Sequence, residues 1–252
     1  MSGAAVLLRL RAGEVRAGAQ CLVRELHLGL EPGQRWALIG RNGAGKSTLL
    51  RLLAGLIEPR EASVELAGEP LRGMPPARQA RLRAYMPALP HDRFGIAVLD
   101  ALMLVQREPD EHRALHWLQA VDALHLARRS LLRLSSGERQ RVALAQALAQ
   151  ETSVLLLDEP VSFQDPRHQA SLARLLREQV APGAARALVF SAHDLNWVAA
   201  VATHVVALLP EGAWAAGEAS QVLCEATLRR AYDCAWQRID RPGGGELWVA
   251  GD

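Results

Sequence analysis

Lysine is almost missing from this chain of 252 residues: of its 29 lysines and arginines, Lys46 alone is a lysine. A GC-rich coding bias toward arginine explains the scarcity. Its consequences are chemical, because such a chain carries no NKxD segment for reading guanine and no second lysine for a Schiff base. Cysteine is scarce too. Cys21, Cys224 and Cys234 are odd in number and lack CxxC spacing, which excludes zinc ribbons and dithiol redox pairs and leaves free thiols of a reducing compartment. Aromatic residues make up 4% of the chain, and the scattered tryptophans form no stacking platform for single-stranded nucleic acid. Long apolar runs are also absent. The richest stretch, 185–209, is interrupted by Arg186, His193, Asp194, Asn196 and His204, so no membrane-spanning helix is expected. Residues 1–10 have no basic segment and too short an apolar run for a secretory leader. The net charge of +2 is too small a field to hold the molecule on nucleic acid or anionic lipid, and no nucleic-acid partner is expected.

What remains is a chain that is 50% hydrophobic, rich in Ala and Leu, and long enough to bury a core without disulfide or metal. Short apolar runs over the first 40 residues, broken by Gly13, Gly18 and Pro32-Gly33, predict an antiparallel β layer. Trp36 to Ile39 predicts a buried strand, and TLLRLLAGL after Ser47 a helix closed by Gly55. Residues 61–71 predict a hairpin, and helical patterning dominates from 75 to 150, with loops at 87–95 and 133–137. Val154 to Leu157 predicts a second buried strand, 166–180 a helix and 187–191 a further strand. An alternating α/β core with a helical insertion follows.

Gly40-Arg41-Asn42-Gly43-Ala44-Gly45-Lys46-Ser47, with Thr48 after it, fits GxxxxGK[ST] between a strand and a helix. Glycines let backbone N–H groups turn inward around a phosphate, and the helix adds its free donors and positive end. Lys46 is positioned to reach β and γ oxygens and Ser47 to ligate Mg²⁺. Val154-Leu155-Leu156-Leu157-Asp158-Glu159-Pro160 is a buried strand ending in two carboxylates, at the edge where open parallel sheets gather ligands. Asp158 suits a water-mediated hold on Mg²⁺, and Glu159 suits a general base. Leu134-Ser135-Ser136-Gly137-Glu138 reads by itself as an N-cap opening an amphipathic helix. His112 and His116 lie four apart, the spacing of a metal pair, and with no cysteine or HExxH glutamate nearby they read as a solvated helix face.

The order of phosphate loop, LSSGE, LLLDEP, Asp165 and His193 resembles the ATP-binding cassette family over essentially the whole chain. The resemblance implies an α/β fold: a P-loop NTPase core with a mixed, mostly parallel sheet, an antiparallel β edge layer and a helical insertion subdomain. It divides residues 1–252, one domain, into a nucleotide-binding core of 1–86 and 150–252 and a helical subdomain of 87–149. It implies ATP and Mg²⁺ as ligands and a head-to-tail dimer in which Ser135 and Gly137 meet the γ-phosphate held by the other copy. Asp165 becomes the dimer-facing aspartate, and His193 the histidine that touches the γ-phosphate and helps hold Glu159 and the attacking water. SAHDLN at 191–196, Gly217-Glu218 and LRRAY at 228–232 are similar to the ATPase subunits of cobalamin, haem and ferric-siderophore importers. That likeness implies a polytopic permease, reached through about Pro87 to Leu134, and indirectly a periplasmic or extracellular substrate-binding protein. It places the chain on the cytoplasmic face of the cell membrane. Arg78, Arg81, Arg83 and Arg93 lie near the insertion, as a solvated basic face or as permease contacts.

Four departures from the family pattern stand out. Ala88 occupies the position of a glutamine that touches Mg²⁺ and water, so either His91 or Asp92 substitutes or hydrolysis is weakened with binding retained, which opens a regulatory or assembly role. Ser136 replaces the first signature glycine. Gln164 replaces an apolar residue before Asp165. No aromatic lies within 13–18 to stack on adenine, leaving Val15 or Arg16 to cover the ring.

Overall fold

The computed structural model describes residues 6–18, 20–58, 61–90, 94–240 and 246–251. In chain order the first half runs β1 (Leu8–Ala17), β2 (Gln20–Leu30), β3 (Arg35–Ile39), α1 (Lys46–Leu53), β4 (Glu61–Leu66), β5 (Glu69–Pro70), α2 (Pro76–Leu82) and β6 (Arg83–Met86). Three helices follow: α3 (Val98–Leu104), α4 (Glu111–Ala120) and α5 (Ser136–Ala149). Then come β7 (Val154–Asp158), α6 (Pro166–Gln179), β8 (Ala187–Ser191), α7 (Leu195–Val201), β9 (His204–Leu208) and β10 (Trp214–Glu218). The chain closes with α8 (Ala219–Val222), α9 (Glu225–Tyr232), β11 (Trp236–Asp240) and β12 (Glu246–Ala250).

The central sheet has the order β10-β9-β3-β8-β7-β6, with only β10 antiparallel to its neighbour. Its central strands β9, β3, β8 and β7 are buried on both faces, and period-two alternation sorts their side chains. Ile39, Leu155, Leu157, Leu188, Phe190, Val205 and Ala207 face a core built with α5, α6, α7 and α9. Trp36, Leu38, Val154, Leu156, Val189, Val206 and Leu208 face the opposite way, onto α1 and the antiparallel layer β2-β1-β4-β5. The expected mixed sheet, edge layer and 61–71 hairpin are therefore present. Helix α1 lies between the two sheets, with Leu49, Leu50, Leu52 and Leu53 all buried.

Where helical patterning was expected from 75 onward, Arg83–Met86 forms a strand instead, pairing in parallel with β7 from Arg83↔Val154 to Met86↔Leu157. Four residues are one helical turn or one short strand, and only the vacant edge of β7 decides between them. The signature helix begins at Ser136, inside the stretch expected as a loop, because Ser135 caps it with a complete capping box. The hairpin β11/β12 is held on α7 by Asn196, whose Oδ1 accepts the Trp248 N–H at 2.7 Å and whose Nδ2 donates to the Trp248 carbonyl at 3.1 Å. Among the described residues, no helix is long and apolar enough to cross a membrane.

Candidate functional site

The parallel register decides what meets at one sheet edge. Strand β8 lies between β3 and β7, pairing Leu38↔Ser191 on one side and Asp158↔Ser191 on the other. The loop Gly40–Gly45 after β3, the carboxylates ending β7 and His193 beyond β8 therefore emerge side by side. The β6 register carries Ala88 past that same edge.

Gly45 caps α1 at φ +101°, a left-handed conformation suited to glycine, and a Cβ there would lie 2.7 Å from Leu22 of β2. The first turn of α1 carries no acidic residue to occupy its free N–H donors. Lys46 is buried at 6% exposure. Its Nζ donates to the carbonyls of Gly40 at 2.8 Å and Arg41 at 3.1 Å. Burial pushes this ammonium below the ordinary lysine range, against the opposing pull of the Glu159 and Asp158 carboxylates. Ser47 and Thr48 follow, partly exposed, in the first turn. Behind the loop, the Gly40 N–H donates to Tyr232 Oη at 3.3 Å, and burial pushes that phenol up to about 12.

Asp158 is 2% exposed, and its Oδ1 accepts the Ser191 hydroxyl at 2.6 Å. The same Ser191 Oγ accepts the Glu159 N–H at 3.0 Å. Glu159 leaves the strand at φ +50°. Its Oε1 stands 2.6 Å from His193 Nε2, and its Oε2 accepts from Ser162 Oγ at 2.9 Å. With Glu159 as an ionised base, which can only accept, this contact takes the His193 proton on Nε2. The Gln140 amide donates to the Glu159 carbonyl at 2.7 Å. Ser191, Gln140 and Tyr232 touch Asp158, Glu159 and Gly40 respectively, contacts that are not readable in the sequence. The SAHD segment was the only pointer to Ser191.

Serine and aspartate oxygens are the hard donors Mg²⁺ prefers, and Ser47 and Asp158 are of that kind, so the residues present fit the ion. Signature residues Ser135 and Gly137 sit at the N-terminus of α5. The Ser135 hydroxyl accepts the Glu138 N–H at 3.3 Å while Glu138 Oε2 accepts the Ser135 N–H at 2.8 Å. Asp165 caps α6 and accepts from the His168 N–H at 2.9 Å, which with the His168 ring holds its carboxyl below the ordinary range. His168 Nε2 reaches Asp122 Oδ2 at 3.0 Å.

Val15 is buried at 5% exposure in the core under the β layer, so it cannot cover a base. Arg16 remains, paired with Glu14 at 3.0 Å. His91, Asp92 and Arg93 lie outside the described residues. Arg78 pairs with Glu69, and Arg83 Nη2 donates to Gln79 at 3.1 Å, so both have local partners. His112 and His116 lie on α4, with the His116 ring edge-on to Trp117 at 5.1 Å.

Comparison with known proteins agrees with this geometry. Residues 23–162 match the family model described as ABC transporter. The chain is 38% identical over 232 residues to the hemin import ATP-binding protein of Bordetella avium, a match spanning 86% of this chain and 88% of that protein. It is 35% identical over 229 residues to the achromobactin transport ATP-binding protein of Dickeya dadantii, spanning 86% and 84%. A solved metal-chelate type ABC transporter, in an inward-facing conformation, superposes with a TM-score of 0.82 at 25% identity over 98% of each chain.

Proposed function

Because this chain belongs to the ABC transporter family, we propose that it powers a membrane importer of haem, ferric siderophores or cobalamin. ABC ATPases bind ATP and couple its hydrolysis to transport, and this chain is one of them. The observation that carries the assignment of roles is the chain of contacts from Asp158 through Ser191 to Glu159 and His193, beside the Lys46 loop.

In this reading residues 40–48 wrap the triphosphate, with Lys46 leaving its carbonyl cradle to follow the β and γ oxygens. Ser47 and Asp158 would hold Mg²⁺, which when bound would neutralise charge on those oxygens. Glu159, held by His193, Ser162 and Ser191, takes the proton from a water aimed in line at the γ-phosphorus as the bond to ADP breaks. Ser135 and Gly137 of a second copy complete the site at their helix N-terminus, and Asp165 faces the same partner. Residues 1–86 and 150–252 form the nucleotide-binding core, and 87–149 the helical subdomain that meets a polytopic permease on the cytoplasmic face. A substrate-binding protein outside the membrane selects the cargo. The similarity to hemin and achromobactin ATPases supports the iron-chelate class. The test is uptake into proteoliposomes containing the chain and its co-purified permease. ATP-dependent accumulation of haem, a ferric siderophore or cobalamin is expected, and ATPase activity with no uptake of any of the three overturns the substrate class.

Ala88 supports a second reading, a cassette that binds ATP and hydrolyses it poorly in a regulatory or assembly role, since a methyl group neither ligates metal nor orients water. Single-turnover hydrolysis on the purified dimer separates the two: release of phosphate in seconds favours the importer motor, and retention of intact ATP favours the second reading.

A further inference from the structure

Between Glu159 and Asp165 the chain lies against the first two turns of α5, and the contact is tight. A Cβ on Gly137 would sit 2.8 Å from the Phe163 carbonyl oxygen, so glycine is required there by the loop packed on it within the same chain. Phe163 itself takes φ +63°, a left-handed conformation that costs an aromatic residue stability and persists only where neighbours enforce it. Its side chain is 63% exposed, whereas the next residue, Gln164, is 8% exposed.

A buried amide must find partners, and Gln164 finds two on one helix. Its Nε2 donates to the Gly137 carbonyl at 2.9 Å, and its Oε1 accepts from Arg141 Nη1 at 3.0 Å. Gly137 and Arg141 are four apart, so one planar group reads one face of α5 across a single turn. The Gln164 carbonyl in turn accepts from Gln169 Nε2 at 3.1 Å, which ties the same residue to α6. At the other end of the segment, Gln140 holds the Glu159 carbonyl at 2.7 Å. Both ends of 159–165 are thus pinned to α5 by amides, one behind the base and one before the aspartate. An apolar side chain at 164 would fill the space without fixing a direction.

We propose that Gln164 is a positioning residue that locks the loop before α6 onto the signature helix, so that Ser135, Gly137 and Asp165 close on a second copy as one rigid face. The proposal rests on the head-to-tail dimer reading given above. Gln164→Glu keeps the size and the acceptor for Arg141 but sets a carboxylate oxygen against the Gly137 carbonyl. Gln164→Leu keeps the bulk and removes both bonds, and carries the test if the glutamate variant does not fold.

The measurements are made on the full chain: steady-state phosphate release, affinity for a fluorescent ATP analogue, melting temperature, and ATP-dependent dimerisation by light scattering in a Glu159→Gln background. The expected result is a loss of about tenfold in turnover and in dimerisation, the scale of two hydrogen bonds, with analogue affinity unchanged and the melting temperature lowered only by the few degrees those two bonds are worth. Turnover and dimerisation equal to the parent in either folded variant overturn the proposal. So does a turnover loss matched by equal losses of affinity and melting temperature, which would make Gln164 a packing residue only. A Glu159→Gln parent that stays monomeric with ATP overturns the dimer reading itself and this proposal with it, whereas a parent that dimerises normally isolates the failure to Gln164.

Discussion

His193 Nε2 lies 2.6 Å from Glu159 Oε1, although the two residues leave different strands. The contact is possible because β7 and β8 pair in register to their last residues, Asp158↔Ser191. A carboxylate held by a ring N–H on one oxygen and a serine hydroxyl on the other is oriented before any water arrives. Glu159→Gln is expected to bind ATP as the parent does and to lose about a hundredfold or more in turnover, the usual contribution of a general base. His193→Ala leaves the Ser162 bond in place and is expected to lose less. Phosphate release with saturating ATP, alongside nucleotide binding, checks both; a Glu159→Gln variant turning over at the parent rate would remove Glu159 from the mechanism.

Lys46 sits where a chain otherwise committed to arginine keeps its single lysine. Lys46 is 6% exposed, and its Nζ ends against two carbonyls at 2.8 and 3.1 Å. A guanidinium is planar and wider than an ammonium, so it overfills that cradle and cannot swing as a compact charge onto a moving phosphoryl group. Lys46→Arg is expected to lose about a hundredfold in turnover, comparable to losing another charge-stabilising donor. Lys46→Ala should be no worse. Turnover by Lys46→Arg near the parent value would show that charge alone suffices.

The phosphate loop was legible in sequence because its backbone chemistry needs glycines at fixed spacing between a strand and a helix. Asp158 and Glu159 were legible for a similar reason, as two carboxylates after four apolar residues. Ser191 was not, since a serine ending a strand has meaning only when β8 lies between β3 and β7, and strand order is a tertiary fact. Gln164 was visible as a mismatch at one position, but its partners Gly137 and Arg141 lie far away in sequence. Strand β6 was hidden because its alternation covers four residues inside helical surroundings. Val15 failed as a base-covering candidate because its strand register turns it into the core.

Ala88 follows β6 at the level where β7 delivers Asp158 and Glu159. A glutamine placed there has the reach to hydrogen-bond water or a metal ligand that a methyl group lacks. Ala88→Gln in the intact transporter is expected to raise permease-stimulated turnover by a few-fold and to sharpen its Mg²⁺ dependence, leaving nucleotide affinity unchanged. An unchanged rate and Mg²⁺ titration would mean that another group already does this work.

Glu138 tests whether the signature helix is held together separately from its chemistry. Its carboxyl lies below the ordinary range first because the Ser135 backbone N–H donates to it, with the Ser135 hydroxyl and the Arg129 and Arg141 charges adding to the effect. Arg129 Nη1 stands 2.9 Å from its other oxygen. For an acid depressed in the folded state, the stabilisation is complete above the unfolded value near 4.5 and is lost as pH falls through the lower folded value. Glu138→Gln keeps an acceptor for the Ser135 N–H but loses the charge at the helix start. The variant should therefore be less stable than the parent at pH 7 by about 0.5 kcal/mol, a small figure because solvent screens this exposed end. The gap should close once pH has fallen below the unfolded value of 4.5 and through the lower folded one. Since the carboxylate is turned back onto its own cap and paired with Arg129, ATP turnover should change little. Denaturant titrations at both pH values, beside phosphate release, check the two halves together, and a turnover collapse without a stability change would reassign Glu138 from the cap to the nucleotide site.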